Sequence, residues 1–112
     1  MAVDLARLQR SRQSDLEVGG FRFTISRPTQ YEIVSAGGSL RADIDFLSRH
    51  VVGWNLKESD LIPGGDPEPA EFDREVFALW LSDQPELWMP LASGMRASFE
   101  AYEEARAVRG KV

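Results

Sequence analysis

Asp60, Gly65 and Glu71 occupy positions 1, 6 and 12 of the run DLIPGGDPEPAE, residues 60–71. That spacing is where a twelve-residue calcium loop places its first carboxylate, its turning glycine and its bidentate glutamate. The match stops there. Positions 3 and 5 are Ile62 and Gly64, which carry no side-chain oxygen, and Pro63, Pro67 and Pro69 restrict the backbone. The run therefore reads as a proline-braced connection, and no metal is expected. His50 is the one histidine, and there is no cysteine. A histidine base needs a nucleophile within reach and a third group to orient it, and a nitrogen or sulfur metal site needs further such ligands. His50 lies at the end of a helical stretch beside Arg49, where the helix dipole favours positive charge. The glycines of AGGSL, residues 36–40, lack the lysine and the spacing of a phosphate loop. The chain has 18 acidic residues, so some close carboxylate pairs arise by chance and carry no signal for glycoside chemistry. Neither an enzyme nor a cofactor is expected.

The aromatic residues point instead to contact with another protein. Trp54, Trp80 and Trp88 accompany Phe72, Phe77 and Met89 in a small domain. Trp80 reads as core, and Trp54 as a ring that pins the following loop. Leu87, Trp88 and Met89 are consecutive, and three neighbours on a helix cannot all face inward. Leu87, Trp88, Met89 and Trp54 are the candidates for an exposed apolar, protein-binding patch.

The elements that hold these residues follow from pattern. In DLEVGGFRFTI, Gly19-Gly20 suits a two-residue hairpin turn. That register pairs Val18 with Phe21 and Leu16 with Phe23, and puts Leu16, Val18, Phe21, Phe23 and Ile25 on one face. Glu17 and Arg22 pair on the other. Thr29 and Glu32 form a capping box, and Gly37 can close the short helix that follows. Leu40, Ile44, Leu47 and Val51 recur at helical spacing. Phe72, Val76, Leu79 and Trp80 suggest the inner face of a further helix, widened by Phe77 and Leu81. Asp83 and Glu86 suggest another cap, and Leu87, Leu91, Met95, Phe99 and Tyr102 form the last stripe. Pro90 either kinks that helix or starts its second piece. The expectation is an α+β fold, mainly α. An N-terminal β-hairpin at about 16–26 packs on a bundle of about four helices, at about 29–36, 39–51, 71–82 and 84–108. Residues 1–14 read as a flexible N-terminal arm and 15–112 as a single globular domain.

At 112 residues the chain suits one domain with a small stability margin. The net charge of −5 is unevenly spread. Residues 1–57 carry +2, residues 58–104 carry −10, and residues 105–112 carry +3. A segment that acidic repels phosphates, so nucleic acid is not an expected partner, whereas a basic protein is. No apolar run is long enough to span a bilayer, and the N-terminal stretch lacks the apolar core of a secretion signal. A cytoplasmic protein is expected.

The order of parts resembles the tail assembly chaperones of long-tailed bacteriophages and prophages. The residues that carry the resemblance are VGGFRFTISRPTQYE near the start, VVGWNLKESD at mid-chain, and EFDREVFALWLSDQPELWMPL after it. Val52, Gly53 and Trp54 match the segment that closes a helix, and Pro69, Phe72 and Asp73 the entry into the next. The resemblance spans roughly residues 16–100. It implies a small, acidic, mainly helical protein that is not an enzyme. Such a protein binds the tape measure and tail tube proteins during assembly in the host cytoplasm and is absent from the mature virion. Self-association is compatible with it. A structural tail or head–tail connector component that oligomerises and stays in the particle is the alternative.

Overall fold

A computed structural model describes residues 2–37 and 43–110. The fold is α+β and mainly helical, with the hairpin expected from the sequence at its start. β1 (Gln13–Val18) and β2 (Phe21–Ser26) pair antiparallel, with Val18 opposite Phe21, Leu16 opposite Phe23 and Glu17 opposite Arg22. Gly19 and Gly20 have φ of 61° and 82°, so the two central turn residues lie where only glycine is unstrained. Val18, Phe23 and Ile25 are buried, and Leu16 and Phe21 pack beside them. On the opposite face Arg22 lies 3.9 Å from Glu17, and the Thr24 hydroxyl donates to Asp15.

A helix precedes the hairpin. α1 (Leu5–Ser11) is capped by the Asp4 side chain, which accepts from the Arg7 amide, and it buries no residue. The segment expected to be an arm is thus helical over seven residues.

α2 (Gln30–Ser35) has the expected capping box of Thr29 and Glu32, and Gly37 follows its end at φ 87°. α3 (Ile44–His50) starts at Asp43, whose carboxylate accepts from the amides of Asp45 and Phe46. Of the stripe predicted for this helix, Leu40 lies outside the described residues, as does the proposed start at Ser39. Ile44 packs beside the core, and Leu47 is fully buried.

The next segment corrects the sequence reading. Val51–Trp54 does not end a helix; it is a strand, β3, antiparallel to β2. Phe23 faces Trp54 and Ile25 faces Val51, with a register shift between Thr24 and Ile25. The sheet order is β1-β2-β3. Val51 and Val52 favour extended backbone, and β2 offers an otherwise open edge of N–H and C=O groups. Asn55 continues the pairing: its side-chain oxygen accepts from the Arg22 amide, and its own amide donates to the Arg22 carbonyl.

A single turn, α4 (Glu58–Leu61), lies in the connection that follows β3, ahead of its proline-rich part. α5 (Arg74–Ser82) follows, with Asp73 accepting from the Val76 amide at 3.0 Å. Pro85–Leu87 forms a 3-10 turn, and α6 (Trp88–Gly110) completes the chain. Pro90 falls in the first turn of α6, where its missing N–H costs nothing, so α6 is the second of two pieces. Asp83 does not cap it. Asp83 ends α5, and the 3-10 turn starts from Gln84 without a side-chain cap.

α3, α5 and α6 cover the apolar face of the sheet. Phe23, Leu47, Val51, Leu56, Phe77, Leu81, Leu91 and Met95 are fully buried between them. From Gln13 onward the described elements share this one core. No helix among the described residues is long and apolar enough to cross a membrane.

Candidate functional site: an acidic apolar groove

The three tryptophans act alike. Each donates its indole N–H to a backbone carbonyl, and each bond ties two segments together. Trp54 reaches Ala70 at 2.9 Å, holding the far end of the loop against β3. Trp80 reaches Asp60 at 3.2 Å, holding α4 against α5. Trp88 reaches Leu81 at 2.7 Å, tying the start of α6 to the end of α5. A partly buried indole N–H needs such a partner, and the ring then packs its apolar faces on the core. The rings of Phe21, Phe23, Phe77, Trp80, Trp54 and Phe72 meet edge-on or tilted, with centroids 4.9–6.4 Å apart. They form a continuous wall behind α4 and α5.

The loop from Asn55 to Ala70 is a closed structure rather than a slack connection. The amides of Glu58, Ser59 and Ala70 donate to the carbonyls of Glu68, Asp66 and Leu56. Leu56 plugs into the core. The Asp60 carboxylate accepts from the Lys57 amide at 2.8 Å, so the first residue of the failed calcium pattern caps a helical turn. Among the described residues no group of three or more His, Cys, Asp or Glu side chains is placed to hold a metal ion.

α5 presents a different face from the one its spacing suggested. The helix begins at Arg74, so Phe72 lies before it and meets Trp54 edge-to-face, with ring centroids 4.9 Å apart. Phe77 and Leu81, one turn apart, point into the core. Val76 and Leu79 point outward, Leu79 with 75% of its surface exposed. The reason is tertiary. α5 packs against α3, and its Phe77 packs on Phe23 of β2, so these neighbours cover the side that carries Phe77 and Leu81.

Val76 and Leu79 are not scattered surface residues. Together with Trp80 they form one bank of a groove of about 500 Å³, and Leu61, Ile62 and Pro63 form the other. Ile62 is 57% exposed. Ser59, Asp60, Asp83 and Gln84 supply the polar rim, with two carboxylates and no basic group among them. The groove is thus apolar at its floor and acidic at its edges.

The structure separates the four residues expected to form the protein-binding patch. Leu87 is 4% exposed and sits in the core, against the hairpin turn at Gly19. It offers nothing to a partner. Trp54 and Trp88 are half-buried with their indoles bonded inward. Only Met89 is open, at 65%. Sequence reasoning missed Ile62, Val76 and Leu79 as surface residues. The available signal was that α5 carries apolar residues on more than one side, and a single core can bury only one side.

His50 is buried at the end of α3. Its Nε2 lies 3.1 Å from the Glu32 carboxylate of α2, a contact whose angle is poor for a hydrogen bond. Burial pushes the His50 pKa down, and Glu32 opposes this only in part. For Glu32, burial raises the pKa, but the Thr29 amide and hydroxyl together with His50 bring it below the ordinary value. His50 is packed 4.6 Å from the Phe46 ring. It reads as a structural link between α2 and α3.

Comparisons with family models, with curated proteins and with solved structures find no match for this chain.

Proposed function

We propose that this protein is a tail assembly chaperone of a long-tailed bacteriophage or prophage. In this reading it is not an enzyme. It works in the cytoplasm of the host and leaves no copy in the mature virion, and it contacts neither nucleic acid nor membrane. Its clients are the tape measure protein and the tail tube protein. The observation that carries the reading is the groove between α4 and α5, where Ile62, Val76 and Leu79 remain exposed between Asp60 and Asp83. A tape measure protein is a long helix with apolar faces. An apolar groove accepts such a face through residues spaced three and four apart, and an acidic rim suits basic residues beside it. Of the parts that resemble the chaperones, Pro69, Phe72 and Asp73 lead into a helix and support the same reading, whereas Val52, Gly53 and Trp54 lie in a strand and do not.

Co-expression with the tape measure protein tests it. The client should stay soluble with the wild-type protein and precipitate with Leu79→Asp, which puts a charge in the groove without touching the core. A client equally insoluble with and without the wild-type protein would overturn the reading. The alternative is a structural component that oligomerises and remains in the particle. It is favoured by the segregation of basic and acidic charge along the chain. Detection of the protein in purified virions would decide for it.

A further inference from the structure

α1 and the last turns of α6 flank a cleft of about 850 Å³, well away from the groove. α6 starts at Trp88, which is bonded to Leu81, and the cleft begins at Ala101, about 20 Å further along at 1.5 Å per residue. Leu8 lines it from α1, and Ala101, Ala105 and Val108 line it from α6. Leu8 and Val108 are 54% and 60% exposed, and Leu5, on the same face of α1 as Leu8, is 68% exposed. α1 itself needs a reason to form. Its seven residues bury nothing. A helix so short is marginal in water and takes its stability from packing an apolar face. Leu5 and Leu8 make such a face, and more than half of each is open to solvent.

The same cleft gathers positive charge. Arg12, Arg27 and Arg109 line it, and Glu104 is the one acid among its described lining residues. Arg12 and Arg27 are fixed side by side. Arg12 donates through Nη2 to the Arg27 carbonyl at 2.6 Å, and its own carbonyl accepts the Arg27 amide at 2.8 Å. The Arg27 guanidinium lies over the Tyr102 ring of α6, 3.7 Å from its centroid. Its Nε–H is buried and meets no acceptor among the described residues. Burial and the Arg12 charge hold the Arg27 pKa below its ordinary value, and Tyr102 and Glu103 offset this only in part. Two like charges held together in a partly dry site favour an incoming anion.

We propose that this cleft docks an acidic amphipathic helix of a partner protein, its apolar side seated between Leu8 and Val108 and its carboxylates on Arg12, Arg27 and Arg109. The partner must answer both the arginines and the apolar side chains. A free phosphate would meet the arginines and leave Leu8 and Val108 bare. A nucleic acid brings phosphates but no aliphatic side chains. A bilayer surface is flat and reaches only the lips of a cleft. A helix is a rod: one turn with its side chains fills about 500 Å³, from a diameter of about 11 Å and a pitch of about 5.4 Å, so the cleft has room for about one to two turns. Helix-in-groove docking of this kind places apolar anchors three and four residues apart, with charge on the flanks. The interface is small, so the contact is weak, and salt weakens it further. This surface is opposite in charge to the groove, and the inference rests on neither reading of function. A client that failed to bind the groove would leave it intact.

Fluorescence anisotropy of a labelled synthetic peptide tests it. The probe has about 18 residues, or about five turns of helix, with leucines three and four apart and glutamates elsewhere. A control peptide keeps the glutamates and has serine at every leucine. The protein carries −5 overall, so it has no general attraction for either peptide. The probe should bind the wild type saturably, and its affinity should fall as salt rises. Arg109→Glu should weaken binding about tenfold, and Leu8→Asp by more. Arg109 is exposed and lies outside α1, so its variant keeps the test decisive if Leu8→Asp unravels that short helix. Leu79→Asp, in the groove, should bind the probe as the wild type does. No saturable binding up to about 500 µM, binding untouched by Arg109→Glu, or binding lost in Leu79→Asp overturns the proposal. So does the serine peptide, a single-stranded oligonucleotide or a vesicle of anionic lipid bound at least as tightly as the probe. A dimer of the protein that excludes the probe and is abolished by Arg109→Glu would overturn it as well.

Discussion

The turn glycines give a matched pair of perturbations. Gly19→Ala and Gly20→Ala each force an L side chain into left-handed backbone, at φ 61° and 82°. That costs about 1–2 kcal/mol, offset by about 0.4–1 kcal/mol because alanine restricts the unfolded chain. On backbone grounds both variants should lose roughly 0.5–1 kcal/mol. Packing separates them. A Cβ at Gly20 meets nothing within 4 Å, whereas a Cβ at Gly19 would stand 2.6 Å from Leu87 Cδ2. Leu87 is buried and cannot swing away freely. Overpacking of this kind costs about 1–3 kcal/mol more. Gly19→Ala should therefore unfold about 4–12 °C below Gly20→Ala, at about 4 °C per kcal/mol for a chain of this size. Urea and thermal unfolding followed by circular dichroism measure both variants side by side, with the urea slope unchanged. In a Leu87→Ala background the gap should shrink, since the clash has lost its partner. Equal destabilisation of the two variants, or a gap that survives Leu87→Ala, would refute the argument that Leu87 is locked beneath the turn.

Two further outcomes follow from side chains in the same structure. His50 has a folded pKa below its ordinary value, so the unfolded chain takes up its proton first as pH falls. Stability should decline as pH drops below about 6.5, and Glu32, also lowered, should extend the decline below about 4.5. His50→Gln should flatten the upper part of that slope in melting curves taken at stepped pH, and an unchanged slope would show that another group is responsible. Asp73→Ala should cost about 1 kcal/mol by uncapping α5. Asp83→Ala should cost nothing or stabilise slightly, because a carboxylate at a helix C-terminus opposes the dipole. Urea midpoints of the two variants check this, and a loss at Asp83 matching that at Asp73 would contradict the assignment of the caps.

Local chemistry determined part of this protein outright. Gly19-Gly20 between alternating apolar residues set the hairpin and its register, because a two-residue turn leaves only one pairing that puts all five apolar residues on a common face. Thr29 with Glu32 set a helix start for the same kind of reason: both bonds close within four residues. Other features belonged to the tertiary structure. Val51–Trp54 became a strand because β2 lay beside it with an open edge, and four residues carry no periodicity of their own. Asp83 and Glu86 have the spacing of a cap, but the chain turns into a 3-10 segment there instead. The surface was the least legible. α5 has apolar residues on several sides, and only the positions of α3 and β2 decide that Phe77 and Leu81 go in while Val76 and Leu79 stay out. Leu87, adjacent to exposed Met89, is buried because the hairpin turn closes over it. A helix records in its sequence how much apolar surface it carries. Which part of that surface meets water is settled by the neighbours that reach it first, and those come from distant segments of the chain.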